Sequence, residues 1–216
     1  ALYTRRVLEN AIIGHPVITM NATDADTGVG GVVSQYTIVR GNTGDVFNIT
    51  PSTGVLLVAK SLDYDTHPFG YNLVIRATDG GSPPLHGDTT VAVFLDDFND
   101  NAPVFSSPQY SARVFESAVT GMAILNITAT DADSGTNAEI VYSLRGQTPF
   151  SVDQQTGTVR LVSSLDRENI SSYTITADAH DRGIPQLVGS TTLSITVLDS
   201  NDQIPRFSLP SYSGSV

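Results

Sequence analysis

Apolar and polar residues alternate one by one along this chain rather than in steps of three and four. Tyr71, Leu73, Ile75 and Ala77 interleave with Asn72, Arg76 and Thr78, and Leu193, Ile195 and Val197 interleave with Ser194 and Thr196. A period of two sends the apolar members to one face of an extended strand, so each stretch predicts a half-buried strand. Turn chemistry separates such stretches. Pro51-Ser52-Thr53-Gly54 and Asp153-Gln154-Gln155-Thr156-Gly157 end on a glycine where positive φ is needed, and Gly80-Gly81-Ser82-Pro83-Pro84 excludes a helix. No stretch sustains a helical stripe for three turns. Short strands without intervening helices predict an all-β protein built of antiparallel β-sandwiches with Greek-key connections.

The pattern also occurs twice. Arg6-Val7-Leu8-Glu9 matches Arg113-Val114-Phe115-Glu116, and Ala22-Thr23-Asp24-Ala25-Asp26 matches Ala129-Thr130-Asp131-Ala132-Asp133. After a drift of a few residues, confined to turns, Thr53-Gly54 meets Thr156-Gly157, Leu62-Asp63 meets Leu165-Asp166, and Asp79 meets Asp181. Asp97-Phe98-Asn99-Asp100 then meets Asp199-Ser200-Asn201-Asp202. Pro205-Arg206-Phe207-Ser208-Leu209-Pro210-Ser211-Tyr212 echoes Pro103-Val104-Phe105-Ser106-Ser107-Pro108-Gln109-Tyr110. The expected organisation is one repeat with its linker at 1–103, a second with its distal linker at 104–205, and the start of a third at 206–216.

Composition narrows the partners. Acidic residues number 22 against 11 basic ones, for a net charge of -11. Nucleic acid is therefore excluded as a partner, since its phosphates need a basic face, and cations are favoured. Cysteine is absent, which removes disulfides and thiolate metal sites. N-x-S/T sequons at Asn21, Asn48, Asn126 and Asn169 point to glycosylation and a secreted chain. No apolar run approaches the ~18 residues of a membrane span and no signal peptide precedes Ala1, so the chain reads as a piece of an ectodomain without direct membrane contact.

The carboxylates carry the chemistry. They gather in turns, as Asp24/Asp26, Asp63/Asp65, Asp97/Asp100, Asp131/Asp133, Asp166/Glu168 and Asp199/Asp202. A lone Asp-x-Asp in a turn is more often a solvated or self-capping pair than a ligand, and only the repetition reverses those odds. Convergent carboxylate, amide and carbonyl oxygens suit a hard cation taking six to eight ligands, which is calcium; magnesium retains more water. No His/Cys set has zinc spacing, and the EF-hand pattern is missing. His15, His67, His86 and His180 fall in expected loops and read as surface residues. An enzyme with a carboxylate pair would need one cleft with one perturbed acid, whereas here every acidic motif is duplicated. A passive spacer indifferent to metal is the remaining alternative.

At these residues the chain resembles the cadherin repeats. Glu9, Asp24-Ala25-Asp26, Leu62-Asp63-Tyr64-Asp65, Ala77-Thr78-Asp79 and Asp97-Phe98-Asn99-Asp100-Asn101-Ala102-Pro103 look like that family's XEX, DxD, DRE, XDX and DxNDNxP motifs in order. The second copy supplies Glu116, Asp131-Ala132-Asp133, Asp166-Arg167-Glu168, Asp181 and Asp199-Ser200-Asn201-Asp202-Gln203. The resemblance implies about three Ca²⁺ ions at the complete linker, held by Glu9, Asp63, Asp65, Asp97, Asn99, Asp100, Asp131, Asp133 and Asp181. Carbonyls of Phe98, Asn101 and Asn137 would complete the shells. It also implies half-sites at Asp24, Asp26 and Asp79, and at Glu116, Asp166, Glu168, Asp199, Asn201, Asp202 and Gln203.

By the same resemblance the function is calcium-dependent cell–cell adhesion, with the ions stiffening a rod. The partner is another cadherin ectodomain, homophilic or heterophilic, beside neighbouring repeats of the same chain. The parent is a single-pass cell-surface protein of long-array, protocadherin or Fat/Dachsous-like type. Two departures stand out. Asp65 replaces the family's longer Glu, which implies a weaker outer ion, and the absent Trp excludes a tryptophan-anchored strand exchange.

Overall fold

The structure is a computed structural model that describes residues 2–205; the expected start of a third copy at 206–216 lies outside the described residues. The chain separates into two compact units. One contains the chain through Ala102 together with Asp131–Glu139 and Asp181–Leu187, and the other contains Pro103–Thr130, Ile140–His180 and the chain from Val188. Among the described residues there is no α-helix, only short 3-10 turns at Gly28–Gly31 and Thr43–Asp45.

The first unit is built from β1 (Leu2–Leu8), β2 (Pro16–Thr19), β3 (Val33–Arg40), β4 (Phe47–Ile49), β5 (Val55–Val58), β6 (Tyr71–Asp79) and β7 (His86–Asp96). One sheet has the order β1-β7-β6-β3 and the other β2-β5-β4. Alternation decides which side chains meet between them. Tyr71, Leu73 and Ile75 of β6 are buried with Val91, Val93 and Leu95 of β7, against Phe47, Ile49, Leu56 and Val58 of the smaller sheet. Each fully buried side chain of this size contributes roughly 1.5–3 kcal/mol, so the core holds both sheets together. Gly54 and Gly157 both take φ of 68°, as the turn pattern requires, and their N–H groups bond back to Thr50 and Asp153.

The second unit repeats the plan with β8 (Val104–Phe105), β9 (Gln109–Phe115), β10 (Ala123–Asn126), β11 (Ala129–Thr130), β12 (Val141–Leu144), β13 (Phe150–Val152), β14 (Thr158–Leu161), β15 (Ser172–His180) and β16 (Val188–Leu198). Its sheets are β12-β15-β16-β9 and β10-β14-β13, with β8 paired to β11. The core gathers Ile127, Phe150, Val159, Leu161, Leu193, Ile195 and Val197. In one respect the periodicity was silent: the first long strand of each unit runs parallel to the last. Leu2–Leu8 pair with Thr90–Asp96, and Gln109–Phe115 with Thr192–Leu198. All other pairings are antiparallel among the described residues.

Candidate metal centre

The first unit collects one acidic cluster from five stretches of chain. Glu9 follows β1 directly and is buried; its carboxylate accepts the backbone N–H of Phe98 at 2.7 Å and that of Tyr64. Asp97 follows β7, and its Oδ2 accepts Ser134 N–H and the Asn137 amide, each at 2.9 Å. Asp65, Asp97 and Asp133 each place a carboxylate oxygen within 4.8 Å of the others. Beside them Asp181 is fully buried, with Oδ1 accepting the N–H of Gly183 at 3.0 Å and Leu187 at 3.1 Å. Its Oδ2 accepts the Asn99 amide at 2.9 Å. Asp131 accepts the N–H of Asp133 at 3.0 Å, while Asp63 turns to the N–H of Thr66 at 3.0 Å.

Oxygen acceptors outnumber donors here. The Asn101 amide nitrogen has two hydrogens, yet it faces Asp65 at 2.6 Å, Asp100 at 2.8 Å and Asp133 at 2.8 Å. Asp97 Oδ1, Asn99 Oδ1 and Asp131 Oδ2 are buried with no hydrogen-bond partner. Each such atom costs about 1–3 kcal/mol unless something positive meets it. An all-oxygen donor set of this charge fits a hard divalent cation.

The electrostatics agree. Burial, then the neighbouring carboxylates of Glu9, Asp133 and Asp97, push the Asp65 carboxyl up to about 6 against the hydrogen bond from Asn101. Burial likewise raises Glu9, Asp100 and Asp131, and nearby carboxylates add to each shift. Like charges about 5 Å apart repel by about 3 kcal/mol at an effective dielectric near 20, so the cluster is costly without a counter-ion.

The remaining motif residues fall into two smaller groups. At the far end of the first unit, Asp79 is buried and accepts the N–H of Gly81 and Leu85 at 2.9 and 3.0 Å, as Asp181 does from Gly183 and Leu187. Asp24 accepts the N–H of Asp26 at 2.9 Å, and both are exposed. In the second unit, Glu116 is cradled by the N–H groups of Arg167 and Ser200 at 2.7 Å each, and shares a 4.8 Å cluster with Glu168 and Asp202. The same cradle gives opposite shifts. The two N–H bonds hold Glu116 below its ordinary value, whereas burial and the adjacent Asp100 and Asp97 outweigh them at Glu9. Asp166 caps Asn169, Arg167 lies 3.4 Å from Asp199, and Gln203 bonds Asp202 at 2.9 Å. Asn201 is exposed.

Several roles were missed. The Asn101 and Asn137 side chains, not only their backbones, reach the cluster, and Asn99 also donates to Pro185 O at 2.6 Å. The matching Gly81/Gly183 and Pro83/Pro185 of the two buried-Asp loops were the available signal. A buried Asp178 outside every acidic motif binds Arg145 and Ser190 at 2.6 Å each. Burial alone would raise its pKa, but those bonds bring it below the usual value. One expectation is corrected. His86 and His180 lie in β7 and β15 rather than loops, and half-buried His180 meets Ser143 Oγ at 3.1 Å. Asn48 sits in the middle of β4, between the core residues Phe47 and Ile49. Asn21, Asn48, Asn126 and Asn169 are all exposed.

Comparison with known proteins locates this arrangement. The cadherin domain family model matches residues 3–96 and 110–198. The chain is 41% identical over 217 residues to mouse Cadherin EGF LAG seven-pass G-type receptor 2, covering 98% of this chain and 7% of the receptor. It is 37% identical over 214 residues to human Protocadherin Fat 1, covering 98% of this chain and 5% of that protein. It thus spans under a tenth of the length of these relatives. The crystal structure of mouse Cadherin-23 EC22-24 superposes with a TM-score of 0.90 at 38% identity, covering 97% of this chain and 67% of that one. The duplicated sandwich, the repeated buried carboxylates and these matches together establish that the chain belongs to the cadherin family.

Proposed function

We propose that this chain is part of the extracellular region of a cell-surface adhesion protein, and that its acidic cluster binds calcium. The observation that carries the reading is the surplus of acceptors: three buried oxygens without partners and one Asn101 amide facing three carboxylates. Glu9, Asp63, Asp65, Asp97, Asn99, Asp100, Asp131, Asp133 and Asp181 would hold about three ions, with carbonyls of Phe98, Asn101 and Asn137. Bound calcium supplies the positive charge that these eight carboxylates lack. The loops 131–139 and 181–187 are continuous with β11, β12, β15 and β16. Ions gripping them together with Glu9 and Asp65 would therefore tie two repeats into a stiff rod. Asp24, Asp26 and Asp79, and Glu116, Asp166, Glu168, Asp199, Asn201, Asp202 and Gln203, would serve adjoining repeats. The partner is another cadherin ectodomain.

A ligand that binds only the native state stabilises it by RT ln(1 + [L]/Kd). With Kd in the extracellular range of ~10⁻⁴ to 10⁻³ M, millimolar calcium contributes ~1 kcal/mol per ion. Three ions should raise the melting temperature by roughly 10 °C relative to excess chelator. Equal melting temperatures would leave a β-sandwich spacer indifferent to metal.

The glycine beside the buried carboxamide offers a finer test. A Cβ at Gly183 would lie 2.2 Å from Asn99 Cγ, whereas one at Gly81 would meet Asp79 Oδ1 at 3.3 Å. Gly183→Ala is expected to displace Asn99 and weaken calcium binding by about tenfold, on the scale of lost supporting contacts at metal sites. Gly81→Ala is the control. Calorimetric titration finding equal affinities would remove Asn99 from the ligand set.

A further inference from the structure

The smaller sheet of the first unit carries an apolar row on the face turned away from the core. Phe47 and Ile49 of β4 and Leu56 and Val58 of β5 are buried, so the alternation turns Asn48 and Leu57 outward. The register sets Pro16, Leu57 and Asn48 side by side across β2, β5 and β4. Leu57 is half-buried between two exposed neighbours, and half-buried Val55 stands two residues along on the same face.

The second unit holds the same row in polar form. Ala123, Arg160 and Ser151 stand side by side across β10, β14 and β13, with Thr158 in the place of Val55. Arg160 is exposed and donates to the carbonyl of Gly121 at 3.2 Å. A long polar side chain suits a face that meets water. Leu57, at the same position in the first unit, gives that face an apolar centre instead.

The neighbouring Asn48 belongs to the sequon Asn48-Ile49-Thr50 and is exposed. Its amide is already oriented by the strand. β4 is an edge strand, and side chains meet its outward backbone groups: Asn42 accepts Phe47 N–H at 3.0 Å and donates to Phe47 O at 2.8 Å, while Asn48 Oδ1 accepts Ile49 N–H at 2.9 Å. An N-linked sugar attaches at Nδ2 and leaves Oδ1 able to keep its bond. With Oδ1 turned to the strand edge, Nδ2 forms the other arm of the planar amide, on the side of β5. No other sequon has an apolar neighbour across a strand pair. Asn126 faces Thr158, which bonds it at 3.1 Å, and Asn21 and Asn169 lie outside the strands.

We propose that Asn48 carries an N-linked glycan whose first N-acetylglucosamine lays its C–H face on Leu57 and Pro16. Side chains paired across neighbouring strands sit about 5 Å apart, so a sugar one amide bond beyond Asn48 reaches Leu57. The contact removes apolar surface from water and stabilises the first unit. The same glycan stands beside the free edge of β4 and keeps other strands from adding there. This rests on the extracellular reading, since the glycan is attached in a secretory pathway.

The whole chain, secreted from a eukaryotic host with Asn21→Gln, Asn126→Gln and Asn169→Gln, tests the proposal. Glycopeptide mass spectrometry should find Asn48 modified, and an endoglycosidase then trims the glycan to its first sugar. The same sequence made in bacteria is the bare reference. Melting in chelator should be higher with the single sugar by roughly 3 °C. Leu57→Thr should cut that gain to below about 1 °C, and the difference between the two gains isolates the sugar–leucine contact. An unmodified Asn48, equal melting of the trimmed and bare chains, or an undiminished gain in Leu57→Thr overturns the proposal. Because every comparison is made in chelator, the calcium response of the same preparations is judged separately, and either reading can fail without the other.

Discussion

Asp133→Ala is expected to abolish most of the calcium-induced rise in melting temperature while leaving the chelated protein at least as stable as the parent. The two halves have different causes. Asp133 is buried, shares a 4.8 Å cluster with Asp65 and Asp97, and meets both the backbone and the side chain of Asn101. In the proposed ligand set it stands at the centre of the cluster, so its loss should cost most of the ~3 kcal/mol assigned to calcium. In chelator the same residue is one of three crowded like charges, and removing it relieves about 3 kcal/mol of repulsion per close pair at an effective dielectric near 20. That relief offsets the lost bonds from Asn101. Asp202→Ala, in the exposed group of the second unit, should leave both melting curves in place. Small-angle scattering in calcium should give a narrow, extended distance distribution for the parent and Asp202→Ala, and a broad one for Asp133→Ala. If Asp133→Ala responds to calcium as the parent does, the ligand set is wrong.

The second large effect lies in the cores. Leu73 of β6 and Leu193 of β16 are fully buried, each inside its own cluster. Leu→Ala at such a site costs about 2–5 kcal/mol, from lost transfer energy and the residual cavity. For a domain of this size that lowers melting by roughly 10 °C or more. Because the clusters are separate, Leu73→Ala should unfold the first core early and leave the second, and Leu193→Ala the reverse. Calorimetry in chelator should resolve two transitions in each variant. Calcium binding should vanish with the earlier transition in both cases, since the proposed ligands hang from both sets of strands. A single unsplit transition in both variants would mean that the cores do not melt independently.

Much of this arrangement was legible because it rests on local chemistry. Period-two alternation marked β6 and β16, and glycine marked the turns at Gly54 and Gly157, where φ is 68° in both. The acidic turns were legible because carboxylates rarely repeat in step without a shared task. Strand partners were not, since alternation names the buried face and says nothing of the neighbour along the edge. That is why the parallel β1–β7 and β9–β16 pairs emerged only in three dimensions. The burial of Asn99 was not legible either, because it depends on Gly183, far away in sequence, lacking the Cβ that would exclude it. The Asp178–Arg145–Ser190 network escaped because its members stand 33 and 12 residues apart with no motif to join them.

Those parallel edge pairs have a mechanical consequence. Within each unit the first long strand and the last point the same way, joined over seven consecutive residues, Leu2–Leu8 in one and Gln109–Phe115 in the other. Chain therefore enters a unit at one end and leaves at the other, and a pull along its length slides the two strands past each other. The load falls on the whole ladder at once, whereas a hairpin pulled from its open end parts one bond at a time. A tissue tugging on such a molecule would meet a shear lock in each unit, one that yields only when every rung of the ladder gives way together.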